Sequence, residues 1–195
     1  MKNIAVFASG NGTNYEAIEE AILNGNIKNC RVAILVVDKK NAFVIERAKK
    51  YGTKVFIFNP KDYKSKAEYE TEIVVLLKEL SVELICLAGY MRIVGDVLLN
   101  SFKDKIINIH PALLPSFKGA HGIEDAFNYG VKAFGVTIHY VSSELDGGKI
   151  ISQKAFEYYG NNILEVEAEI HEIEHVLYPK TINYLLGGNE HESFN

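Results

Sequence analysis

The feature that most constrains the fold is an alternation: short runs rich in β-branched residues recur along the chain, separated by helical patterns. Asn3 to Ala8, Arg31 to Val37, Lys54 to Phe58 and Glu83 to Ala88 are such runs. Strand, helix and strand in that order imply parallel strands joined by crossover helices, hence an α/β class with a mostly parallel sheet covered on both faces. Between Lys66 and Leu80, residues Tyr69, Ile73, Leu76, Leu77 and Leu80 fall on one stripe at helical spacing, which predicts a helix laid on that sheet. Further strands are expected from Lys105 to Ile109, Phe134 to Val141 and Lys149 to Tyr158. The last two, joined around Asp146, Gly147 and Gly148, predict a hairpin-like antiparallel extension. Ile163, Val166, Ile170, Ile173 and Leu177 mark a long last helix, after which Gly187 and Gly188 open a polar tail expected to fray. With 195 residues, no linker and no repeat, the expected organisation is one domain over 1–188 and a tail over 189–195.

Composition narrows the partners. Hydrophobic residues are 48% and charged residues 24%, far from the signature of disorder. A net charge of −4 offers no field to a nucleic-acid backbone beyond a local patch at Lys61, Lys64 and Lys66, so no nucleic-acid partner is expected. The two cysteines, Cys30 and Cys86, each sit in an apolar strand-like run and read as buried thiols, not metal ligands or a disulfide, which suits a reducing cytoplasm. The apolar run in the first ten residues is too short for a signal-peptide core, and no uncharged run reaches bilayer length; a cytoplasmic protein without membrane contact is expected.

Four segments carry polar groups in patterns that suit chemistry. Ser9 to Asn14, SGNGTN, follows the first strand and opens a helix, so its backbone N–H groups and the helix dipole suit a phosphate. It lacks the third glycine of a dinucleotide fingerprint, position 15 being Tyr15, and the GK[ST] of a P-loop; the alternative is an ordinary turn capped by Thr13. In Ile106 to Pro115, IINIHPALLP, a period of two puts Asn108 and His110 on one side of a strand end, where open α/β sheets bind ligands. A fixed amide donor beside a titratable imidazole suits an oxyanion and a proton transfer; the alternative is a core histidine beside a turn residue. Glu144 to Gly148, ELDGG, reads as hairpin-turn chemistry, or as a carboxylate that would raise the pKa of His110 if the two met. His171 to His175, HEIEH, matches the zinc-protease pattern, but no GxxH follows and Glu190 and Glu192 lie in the tail, so no metal is expected. Ser142 and Ser143 have no GxSxG elbow around them.

SGNGTN, LAGYMRIV from Leu87, INIHPALLP, Gly119 with His121, VTIHYV from Val136, ELDGG and EHVLYP from Glu174 together resemble, in order and at similar spacing, the phosphoribosylglycinamide formyltransferases, a family of folate-dependent enzymes. The resemblance covers almost the whole chain and implies a Rossmann-like formyltransferase fold. It implies an enzyme of purine biosynthesis that moves a formyl group from 10-formyltetrahydrofolate, a co-substrate, to a glycinamide ribotide amine. On this resemblance Asn108, His110 and Asp146 form the catalytic group, and Gly12, Thr13, Asn14 and Glu174 bind the ribotide. Met91, Arg92, Ile93 and Val94 line the folate pocket, with Asn108, and Ser142, Ser143, Glu144, Leu145 and Asp146 form its other wall. Lys66 stands where related enzymes often carry a folate-holding arginine, and Glu169 where an arginine commonly precedes the last helix's Ile-His pair. Methionyl-tRNA formyltransferase and formyltetrahydrofolate deformylase share the NIHP and DGG elements but carry an additional domain. A different class of protein, a silent folate or ribotide sensor, would not need Asn108, His110 and Asp146 intact. Small-molecule substrates are expected, and either a monomer or a homodimer is compatible with the sequence.

Overall fold

The computed structural model describes residues 1–188; the expected polar tail, 189–195, lies outside them. Seven strands form one sheet in the order β3-β2-β1-β4-β5-β6-β7. β1 (Lys2–Ala8), β2 (Cys30–Val37), β3 (Val55–Ile57), β4 (Val82–Leu87) and β5 (Ile106–His110) run parallel, while β6 (Ala133–Tyr140) and β7 (Ile150–Glu157) add antiparallel pairs. This is the expected α/β arrangement with a C-terminal antiparallel extension. β3 is shorter than expected because it lies at an edge, yet its flanks still bond: Leu35 N–H donates to Lys54 O at 2.9 Å and Phe58 N–H to Val37 O at 3.0 Å.

The helices are α1 (Thr13–Leu23), α2 (Val44–Tyr51), α3 (Lys66–Glu79), α4 (Asp96–Ser101), α5 (Gly122–Tyr129) and α6 (Ile163–Leu185). Ser65 stops α3 from fraying by accepting the Glu68 N–H at 3.2 Å, and Asn162 does the same for α6 through Leu164 N–H at 3.1 Å. The strand period of two divides the core. Ile4, Val6 and Ala8 of β1 face one cluster with α1 and α6, while Ala5 and Phe7 face a second cluster with α3 and α4. At the centre, the buried Tyr178 of α6 donates its hydroxyl to Leu87 O at 2.8 Å, with Ile107 O at 3.3 Å, tying the last helix to β4 and β5. No described helix is long and apolar enough to cross a membrane.

Candidate active site

β5 carries Asn108 and His110 to its carboxyl end, and the antiparallel register of β6 sets His139 opposite Asn108 and Thr137 opposite His110. Thr137 is buried and fixes the chain after His110, donating to Ala112 O at 2.7 Å and accepting the Leu114 N–H at 3.0 Å. The connection between β6 and β7 returns over this edge. It is a longer loop than a two-residue hairpin turn, and Asp146 in it has φ 50, a left-handed conformation that Asp tolerates better than most residues. A Cβ on Gly148 would overlap the Tyr140 carbonyl, so only glycine lets the loop return this closely.

The Asp146 carboxylate is thereby enclosed between two imidazoles. Its Oδ2 lies 3.6 Å from His110 Nδ1 and its Oδ1 3.6 Å from His139 Nε2, and Oδ2 accepts the Gly119 N–H at 2.8 Å. Burial pushes its pKa up, but the adjacent His139 ring, the Gly119 amide and the charges of the two histidines outweigh this and hold it below the usual carboxylate range. His110 Nε2 is 2.8 Å from Phe117 O, and His139 Nδ1 is 2.9 Å from Tyr140 O. A carbonyl only accepts, so each of these nitrogens carries a proton. His139 Nε2 also lies 3.3 Å from the Asn108 amide nitrogen. Asn108, His110 and Asp146 meet as expected, and His139 joins them.

At the end of β1 the SGNGTN loop is shaped by α2. Val44 N–H donates to Gly10 O at 3.1 Å, and Arg47 donates through Nε to Asn11 O at 2.9 Å and through Nη2 to Asn11 Oδ1 at 3.1 Å while also pairing with Glu16. The turn is not capped by Thr13: Thr13 is the first residue of α1, and Gly12, at φ 80, occupies the cap position with no side chain to offer. Val44 packs where a Gly12 Cβ would stand, so the side chain that would cap is excluded. Asn14 reaches α6, donating to Glu174 Oε2 at 3.1 Å, and the same oxygen accepts from His171 Nδ1 at 3.0 Å. The Glu174 hydrogen bond raises the His171 pKa against the effect of burial, whereas burial lowers that of His175, whose ring stacks on His171 at 6.4 Å. Among the described residues no group of three or more metal-ligating side chains forms around HEIEH or elsewhere.

The expected folate residues line a third region. Met91 N–H donates to Ser9 Oγ at 2.9 Å, Arg92 Nε to the buried Asp38 at 2.7 Å, and Lys66 Nζ to Ile93 O at 3.0 Å. Val94 is buried, while Met91 and Ile93 leave 64% and 63% of their surface exposed. In the β6–β7 loop Leu145 is exposed, Ser142 donates to Glu144 O at 3.2 Å and Glu144 pairs with Lys118 at 2.7 Å. A cavity of about 380 Å³ brings Lys66, Glu70, Val94, Gly95, Val97 and Ser143 together, so residues from both expected walls share it. A larger groove of about 700 Å³ runs between α1 and α6 past Thr13, Arg47 and His175 without touching Asn108, His110 or Asp146.

Sequence reasoning passed over His139, Asp38, Arg47 and Glu70. His139 left a signal: Val136 to Tyr140 alternates apolar and polar residues inside a buried strand, which puts His139 on the face of Thr137. Asp38 stands at the carboxyl end of β2, the edge where such sheets bind ligands. Arg47 and Glu70 sit in helices, where a charge reads as solvent-facing.

A family model described as "Formyl transferase" matches residues 2–182. The chain is 50% identical over 190 residues to phosphoribosylglycinamide formyltransferase of Bacillus subtilis (strain 168), covering 97% of each. It is 32% identical over 186 residues to the Homo sapiens trifunctional purine biosynthetic protein adenosine-3, covering 95% of this chain and 18% of that protein. Glycinamide ribonucleotide transformylase 1 from Geobacillus kaustophilus superposes with a TM-score of 0.93 at 47% identity, over 96% of this chain and 100% of that one. Sheet order, the polar cluster at the end of β5 and these matches agree, and the chain belongs to the formyl transferase family.

Proposed function

We propose that the chain transfers the formyl group of 10-formyltetrahydrofolate to the amine of 5-phosphoribosylglycinamide, giving N-formylglycinamide ribotide and tetrahydrofolate. The observation that carries this reading is the buried carboxylate of Asp146 set against His110 and His139 beside Asn108. The SGNGTN loop at the start of α1 takes the ribotide phosphate, through Gly12, Thr13 and Asn14, and Glu174 contacts the ribotide. The ridge of Met91 to Val94 and the facing loop of Ser142 to Asp146 take the folate, whose flat ring suits the exposed apolar Met91, Ile93 and Leu145.

The neutral amine attacks the formyl carbon, the C=O π electrons move to oxygen, and a tetrahedral oxyanion forms. The Asn108 amide donates to that oxygen, and His110 does so with the Nε2–H that otherwise faces Phe117 O. Asp146 is the acceptor for a proton carried on His110 Nδ1. The attacking nitrogen then loses a proton, the folate nitrogen gains one as its bond to carbon breaks, and the carbonyl re-forms on the product. His110 is the group placed to carry that proton. Both substrates are small molecules, and the free, buried Cys30 and Cys86 suit a reducing cytoplasm.

The test is to follow tetrahydrofolate release with and without the ribotide. Release that depends on ribotide is expected; equal release without it would make the enzyme a deformylase. In the same assay His110→Ala is expected to lower kcat by roughly 10² to 10⁴. A folded variant with near-normal turnover would remove His110 from the mechanism.

A further inference from the structure

α4 begins without a cap of its own. Its cap position is Gly95, which has no side chain to offer to the orphan N–H groups of the first turn. The missing acceptor comes from another helix. Glu70 of α3 is only 1% exposed, and its carboxylate accepts the Gly95 N–H through Oε1 at 2.6 Å and the Leu98 N–H through Oε2 at 3.3 Å. In an ordinary capping box these two N–H groups, at the cap and three residues on, are served by two different side chains of the same helix. Here one carboxylate serves both from outside. Space at Gly95 is already taken: a Cβ there would stand 2.8 and 2.9 Å from the two Glu70 oxygens and 2.7 Å from Lys66 Cδ.

Lys66 lies one turn before Glu70 on the same face of α3 and donates to Ile93 O at 3.0 Å. Two consecutive side chains of one helix face therefore grip the segment ending in Ile93, Val94 and Gly95, one at a carbonyl and one at two amides. We propose that Glu70 is a positioning residue for the folate donor: by capping α4 in place of Gly95 it fixes the backbone of the Met91–Val94 wall. This rests on the reading of that wall as the donor site. It also gives Lys66 a task that a lysine performs as well as an arginine, since a single carbonyl needs one donor and not a fork.

The test varies each substrate at saturation of the other. Glu70→Gln leaves an NH₂ facing an N–H, so donor KM is expected to rise about tenfold, as for a lost cap, with ribotide KM and kcat within about twofold. Gly95→Ser separates a cap from a merely structural role. In the wild-type background its Cβ meets Glu70 and Lys66, and donor KM is expected to rise. In a Glu70→Ala background the serine hydroxyl accepts the Leu98 N–H from the ordinary cap position, and donor KM is expected to return to within about threefold of wild type. An unchanged donor KM in folded Glu70→Gln overturns the proposal, as does an equal rise in ribotide KM or a serine whose loss adds to that of Glu70→Ala. Should Glu70→Ala alone not fold, a folded double variant with near-normal donor KM supports the cap, and an unfolded one overturns it. Hydrogen exchange at the Gly95 and Leu98 amides, expected to quicken in Glu70→Gln, reads the cap without turnover. Faster exchange in an enzyme that shows no ribotide-dependent transfer would sink the donor reading and leave the cap standing.

Discussion

Asp146 is the residue on which the polar cluster depends, and its ionisation links the site to stability. Because folding lowers its pKa, its interactions favour the folded chain fully above the unfolded aspartate value of about 3.9, and that contribution is lost as pH falls through the lower folded value. Asp146→Asn is therefore expected to reduce the loss of stability on acidification below about pH 4, in urea titrations at several pH values, while lowering kcat. An acid limb identical to wild type would show that Asp146 titrates alike in both states. His139 should be readable through its neighbour. Removing the ring that lowers the Asp146 pKa, as in His139→Ala, is expected to move the Asp146 carboxyl titration upward by NMR. Asn108 and His110 were legible in the sequence because a strand period of two puts them on one side. Asp146 was not, since Asp-Gly-Gly reads as a turn in any hairpin; only a pairing register set by distant residues carries that turn over β5.

At the scale of elements, helices outside the site hold the loops that form it. α2 reaches the SGNGTN loop through Arg47, whose two bonds to Asn11 fix the backbone just before Gly12. Arg47→Ala is expected to raise ribotide KM by about tenfold, the scale of a lost charge-assisted bond, with donor KM unchanged. Arg47→Lys should recover only part of this, because a point charge cannot serve both Asn11 oxygens and Glu16. Equal effects on both substrates would assign Arg47 to general stability. The seven strands were legible as runs of β-branched residues, and α3 and α6 as stripes. Who caps whom was not: Glu70 lies between Tyr69 and Ile73 in the helical pattern, and nothing local says that a carboxylate there points at another helix.

For the molecule as a whole, one continuous sheet carries both apolar clusters, and alternate residues of β1 contribute to each. We propose on this basis that residues 1–188 unfold as one domain. Far-UV circular dichroism and tyrosine fluorescence are then expected to give coincident urea transitions, and separated midpoints would divide the chain into two units. The overall class followed from the alternation of strands and helices. The order of strands in the sheet did not, because pairing between β1 and β4 joins segments far apart in sequence.

Tyr178 gives the molecule a datum. Its hydroxyl is pinned at the sheet centre against Leu87 and Ile107, immediately before Asn108, and one helical turn back along α6 lies Glu174. On the proposed reading, in which Glu174 contacts the ribotide and Asn108 the reacting carbonyl, the span between them is laid out by a rigid ruler of one helical turn, with its zero mark on the sheet. A substrate whose amine stood one bond nearer to or farther from its sugar would be measured against that ruler and would miss the mark.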